Sequence, residues 1–118
     1  VGQSPTDAIW PDGQTSKQKF LNLRAEAWWL LRRRFEKTYE NFVEKIEKQH
    51  PLDECISIPN DLTLITQLSQ PLHFKTENGK IKIESKEAMR KRGIHSPDFA
   101  DACAMAFLPN LIPELMWA

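Results

Sequence analysis

Two aspartates one helical turn apart, Asp98 and Asp101, follow a basic run made of Lys86, Arg90, Lys91 and Arg92 within the stretch IESKEAMRKRGIHSPDFADACAMAF. The basic side chains suit a polyanion, and the carboxylates suit a divalent cation held beside it. Phosphodiester cleavage needs both, because a metal must neutralise the charge that develops on the phosphate oxygens. His95 lies three residues before Asp98, so the imidazole can face the same site. Plainer readings stand beside this one. Acids in the first turn of a helix meet its dipole favourably without any metal, and a basic run of this size is commonly a solvated face. Hard cations also want several oxygen ligands from more than one element, so two acids on one helix are part of a site at most.

The remaining candidates are weaker. His50 and His73 have no partners at metal-ligand spacing and read as structural. Trp28 and Trp29 fit an apolar stripe and read as core, and Arg32, Arg33 and Arg34 sit among glutamates and read as surface pairs. Cys55 and Cys103 are too few and too isolated for a disulfide framework or a zinc site, which points to a reducing cytosol. Sixteen basic residues balance sixteen acidic ones, so no global field draws nucleic acid, and a stand-alone DNA-binding protein is disfavoured. With four glycines and no Gly-Lys-Ser/Thr, the chain carries no ATP-hydrolysing motor. No run reaches membrane-spanning length, and no signal-peptide pattern is present. A first residue Val1 in place of Met suggests a processed product or a piece of something longer.

The elements that must position these groups follow from pattern. Residues 1–15 read as an irregular lead-in rich in proline and glycine. Ser16 opens a long helical pattern to about Gln49, stopped by His50-Pro51. Its stripe is Leu21, Trp28, Leu31, Phe35, Tyr39, Phe42 and Ile46, and its length would be about 50 Å. Asn60 or Asp61 can cap a short helix from Leu62 to Ser69, with Leu64, Ile65 and Leu68 inward. Asn78-Gly79 predicts a hairpin with a two-residue turn, pairing Thr76 with Ile81 and Phe74 with Ile83 on one face, and His73 with Glu84 on the other. A helical turn over Lys86 to Lys91 ends at Gly93. Ser96 as cap and Pro97 as first residue open a last helix to about Leu108, with Phe99, Ala102, Cys103, Ala106 and Phe107 inward. Residues 109–118, PNLIPELMWA, form an apolar tail. The sum is an α+β chain, mostly helical.

The order LNLRAEAWWLLRRRFE, NDLTLITQLSQP, NGKIKIESKEAMRKRG and SPDFADACAMAF resembles the C-terminal nuclease domain of phage terminase large subunits, over roughly residues 20–108. That resemblance implies a partial ribonuclease-H-like fold. It implies an acidic cluster binding two Mg²⁺ or Mn²⁺ that cuts concatemeric viral DNA in the cytoplasm of an infected or lysogenic bacterial host. By the same resemblance Asp98 is the third catalytic acid, with Asp101 and His95 beside the metal and Lys86, Arg90, Lys91 and Arg92 in a DNA-contacting loop. The family's first two acids lie on upstream strands with no counterpart here. The chain is therefore expected to be a C-terminal segment, inactive alone and able to self-associate. Its expected partners are double-stranded DNA, the portal and the small terminase subunit. The alternative is a non-catalytic module from a truncated prophage gene that binds portal or subunit.

Overall fold

The computed structural model describes residues 3–108. It is an α+β fold in which two helices pack face to face, a third closes one side, and a two-stranded hairpin lies against the first. The order is α1 (Ser16–Lys19), α2 (Leu23–Tyr39), α3 (Leu62–Ser69), β1 (His73–Lys75), β2 (Ile81–Ile83), α4 (Lys86–Lys91) and α5 (Asp98–Ala106). None of the described helices is long and apolar enough to cross a membrane.

The single long helix expected from Ser16 is two. Thr15 caps α1 through a capping box with Gln18, but Phe20 leaves the helix in an extended conformation. Asn22 then caps α2, accepting from Ala25 N–H at 2.9 Å. Two caps seven residues apart satisfy the backbone donors that a continuous helix would have paired internally. The far end is also earlier than expected. A π-helical turn, Glu40–Glu44, leads to Lys45 at φ 53°, and that left-handed residue closes the helix.

Restarting the helix rewrites its stripe. Leu21, Tyr39 and Phe42, expected inside, are about half exposed, whereas Leu23, Ala27, Trp28 and Leu31 are buried. They form one core with Ile56, Ala100, Ala104 and Leu108. Alanines on both helices let α2 and α5 approach closely. In α5, Phe99 is exposed and Ala100 and Ala104 take the inward positions; in α3, Leu64 and Leu68 pack inward while Ile65 stays exposed. One side of α2 holds the connector that follows it. Arg34 donates to the carbonyls of Asp53 and Cys55, Thr38 Oγ1 accepts from Ile56 N–H, and Asn41 exchanges bonds with the backbone of His50.

The hairpin register is one residue away from the expected one. His73 pairs with Ile83, Phe74 with Lys82 and Lys75 with Ile81. A type I′ turn needs positive φ at both central residues, and only Gly79 has it, at 81°. Gly79 N–H instead donates to Thr76 O, and Thr76 N–H to Lys80 O. That is the three-residue loop with a glycine bulge. Thr76 Oγ1 favours it by accepting from Lys80 N–H. A slip of one residue exchanges the faces of the strands, so Glu84 is released from His73 and turns inward. It is 5% exposed and pairs with Arg92 through two contacts of 2.7 Å.

From residue 3 onward the lead-in is tied to the helices that follow it. Ile9 bridges to Thr15, Trp10 packs at a tilt against Phe20, and Glu26, 1% exposed, accepts from Thr6 N–H, from the Thr6 hydroxyl and from the Ser16 hydroxyl. Glu26→Ala leaves these donors without an acceptor and is expected to lower stability by at least about 1–3 kcal/mol. Glu26→Gln keeps one oxygen for Thr6 N–H and hydroxyls that can turn, so it should retain most of that stability. Urea denaturation of both variants checks the difference, and equal losses would mean that charge rather than hydrogen bonding matters here.

The second expectation concerns acid. The Arg92 guanidinium holds the Glu84 carboxyl below its ordinary value of 4.5, helped by Leu72 N–H. The folded chain therefore binds that proton less tightly than the unfolded one. The contribution is complete above the ordinary glutamate range and is lost as pH falls through the lowered folded value. Glu84→Gln should flatten the acid limb of a stability profile recorded from about pH 7 to pH 3. An unchanged limb would show that other carboxylates set it.

Candidate functional site

Asp98 and Asp101 come together with Lys86 where the start of α5 meets the start of α4. Ser85 caps α4 by accepting from Ala88 N–H, which sets Lys86 as its first residue directly after the end of β2. The expected cap of α5 is not used. Pro97 occupies the cap position without a side-chain bond, and Gln67 of α3 accepts from Phe99 N–H at 2.8 Å and Ala100 N–H at 3.1 Å. A residue thirty positions upstream thus takes the donors at this helix start. The carboxylates of Asp98 and Asp101 are free for other partners.

Those partners are cations. Lys86 Nζ lies 3.1 Å from Asp98 Oδ1 and 3.3 Å from Asp101 Oδ2. Hydrogen bonding to Asp98, and then to Asp101, raises the Lys86 pKa above its ordinary value, so the ammonium stays charged. The two acids differ in setting. The Asp98 side chain is 70% exposed, and that of Asp101 only 16%. The inner oxygen of Asp101, Oδ1, accepts from Arg24 Nε at 3.0 Å and from Trp28 Nε1 at 2.7 Å. Arg24 Nη1 donates in turn to the carbonyl of Glu84 at 2.7 Å, at the end of β2. Beside this network lies a half-open hollow of about 220 Å³, lined by Gln3, Leu23, Arg24, Trp28, Lys86 and Asp101.

The other expected site residues fall elsewhere. His95 lines a separate hollow with Thr66, Gln67 and Gln70, and no hydrogen bond joins it to Asp98 or Asp101 among the described residues. Among the described residues no group of three or more His, Cys, Asp or Glu is placed to hold a metal ion. Within the basic run, Arg92 is tied to Glu84 and to Gln70 O, and Lys86 to the two aspartates. Arg90 and Lys91 face solvent at the end of α4, Lys91 loosely paired with Glu87 at 3.9 Å. His50 lies against Glu40 and His73 edge-on to Trp29. The tail at 109–118 lies outside the described residues.

Sequence reasoning passed over Arg24 and Gln67 as site residues and assigned Trp28 to the core alone. Arg24 and Trp28 stand four residues apart, and so share a helix face. That spacing was a usable signal; nothing local to Gln67 announces its role.

The donor set is all oxygen, which suits hard cations such as Mg²⁺ or Mn²⁺. Two carboxylates from one helix supply only part of such a coordination shell.

No protein-family model matches the chain, and no curated protein matches it. Solved structures do. The nuclease domain of the large terminase subunit gp2 of bacterial virus Sf6 superimposes with a TM-score of 0.78 at 30% identity, over 88% of this chain and 49% of that one. A point mutant of that domain with manganese gives 0.77 at 28% identity over the same share of this chain, and a mutant with manganese and beta-thujaplicinol gives 0.78 at 27%. The chain thus spans about half the length of these domains. In structure it is similar, over most of its own length, to one half of the nuclease domain of a phage large terminase subunit.

Proposed function

We propose that this chain supplies one flank of a metal-dependent endonuclease site that cuts double-stranded viral DNA during packaging. The observation that carries the proposal is the convergence of one oxygen from Asp98 and one from Asp101 on a single cation, the Lys86 ammonium. A position between two carboxylates that holds an ammonium also suits a divalent metal. Likeness to domains solved with manganese or calcium supports the reading.

Asp98 and Asp101 would hold Mg²⁺ or Mn²⁺ from this side, with further oxygen ligands from another part of the complete fold. Once bound, such an ion supplies Lewis-acid stabilisation of the phosphate in an in-line displacement. The chain's own groups do the rest. Asp98, exposed, presents its carboxylate to the DNA side, and Asp101, held from behind, offers its outer oxygen. Arg90 and Lys91 lie on the same connection between β2 and α5 and are placed to contact backbone phosphates. Neutral overall charge confines DNA attraction to such local patches.

In a protein carrying the complete nuclease fold, Asp98→Ala is expected to abolish Mn²⁺-dependent nicking of supercoiled plasmid. Its circular dichroism should not change, because the side chain is mostly exposed. Wild-type cleavage by that variant would remove Asp98 from the chemistry. The 118-residue chain by itself should not nick; nicking would reveal acids that complete a site within it.

Replacing Arg90 and Lys91 by glutamine should weaken DNA binding without sequence preference. It should also reduce the slope of log affinity against log salt by about 1.8, roughly 0.9 for each phosphate that is no longer neutralised. An unchanged slope would leave these two residues as a solvated helix end.

A further inference from the structure

We infer that Arg24 is a positioning residue for the acid pair, acting through Asp101; the inference rests on the metal-binding reading of Asp98 and Asp101. An aspartate with both oxygens free can rotate about its side-chain bonds and present either oxygen, or neither, toward its neighbour. Here the choice is made by α2. Arg24 Nε and Trp28 Nε1 approach the same oxygen, Oδ1, at 3.0 and 2.7 Å. Only Oδ2 is left to face Lys86 and, across it, Asp98.

Arg24 is itself held. Its Nη1 donates to the Glu84 carbonyl at 2.7 Å, so the planar guanidinium spans the end of β2 and the first turn of α5 with two donors in fixed relation. A lysine ammonium cannot reproduce that fork. The third nitrogen, Nη2, is buried and has no partner among the described residues. Trp28 packs its ring in the core and gives its N–H to the carboxylate. The core itself therefore sets the direction of Asp101. Carboxylate ligands in metal sites are oriented in this way by a second ring of donors.

The test uses a protein carrying the complete nuclease fold, with Mn²⁺ alone as the probe. The Trp28 indole N–H touches Asp101, and its proton–nitrogen resonance is identified by its disappearance in Trp28→Phe. Paramagnetic broadening of that resonance during a Mn²⁺ titration gives a half-effect concentration. Arg24→Gln and Arg24→Lys are each expected to raise it about tenfold while the remaining spectrum stays dispersed. Asp101→Asn should raise it at least as much.

A half-effect concentration unchanged in both Arg24 variants, with Asp101→Asn still raising it, overturns the positioning role and leaves the metal reading standing. No broadening in the wild-type protein, or broadening indifferent to both Asp98→Asn and Asp101→Asn, overturns the two together. If Arg24→Gln fails to fold, Arg24→Lys carries the decision, because it keeps the charge and loses only the fork.

Discussion

A carboxylate that is mostly withdrawn from water needs partners in fixed places, and Asp101 draws two of its partners from residues more than seventy positions away in the chain. Arg24 and Trp28 meet it from α2, and Lys86 meets it from α4. Removing any partner would leave charge behind in a setting that solvates it poorly, so the elements that carry these groups are coupled. The break before α2 follows from that coupling. Arg24 must stand in the first turn of its helix to reach both Asp101 and the end of β2. The chain accordingly leaves α1 at Phe20, passes Ile81 in a short parallel bridge, and starts again at Asn22. The alanine faces of α2 and α5 serve the same end, since bulkier side chains would hold the helices too far apart for the Arg24–Asp101 contact.

Among the described residues the apolar core is small, eight residues with a partly buried fringe. Buried or half-buried polar bonds fix the segments that the core does not reach. Glu26 ties the lead-in to α2, and Glu84 with Arg92 ties β2 to the end of α4. Gln67 ties α3 to the start of α5, and Asn41 closes the loop after α2. The buried carboxylates among them, Glu26 and Glu84, have partners on both oxygens, which is the condition under which a buried polar group specifies a structure rather than weakening it.

Features decided within a few residues were legible in the sequence. Asp61 caps α3, and Gly93 closes α4 with its positive φ. Asp98 and Asp101 stood out because their spacing and the preceding basic run are local as well. Features decided by distant partners were not. The apolar spacing runs on through Phe20 and Leu21, so the pattern hid the cap at Asn22. Asn78-Gly79 fits either of two hairpin loops, and the side chain of Thr76 selects between them. Ser96-Pro97 has the form of a helix start, yet Gln67 takes the amide donors. His95 has the right spacing to join Asp98, but spacing along the chain does not fix the direction of a loop side chain.

The pairing of the two aspartates with Lys86 explains how two acids can stand close together in a folded chain. Two carboxylates held close together repel, and in a partly buried setting that repulsion is stronger than in water. The Lys86 ammonium stands between them and stays protonated because of them. Asp101 also has Arg24 behind it. Two acids and two bases therefore cancel locally, as the sixteen and sixteen do over the whole chain. Such a cluster is stable without a divalent cation, and its two outer oxygens remain directed at one point. A metal entering there has to displace or share with an ammonium that the protein already holds. On the proposed reading, further oxygen ligands from outside this chain would tip that competition toward the metal.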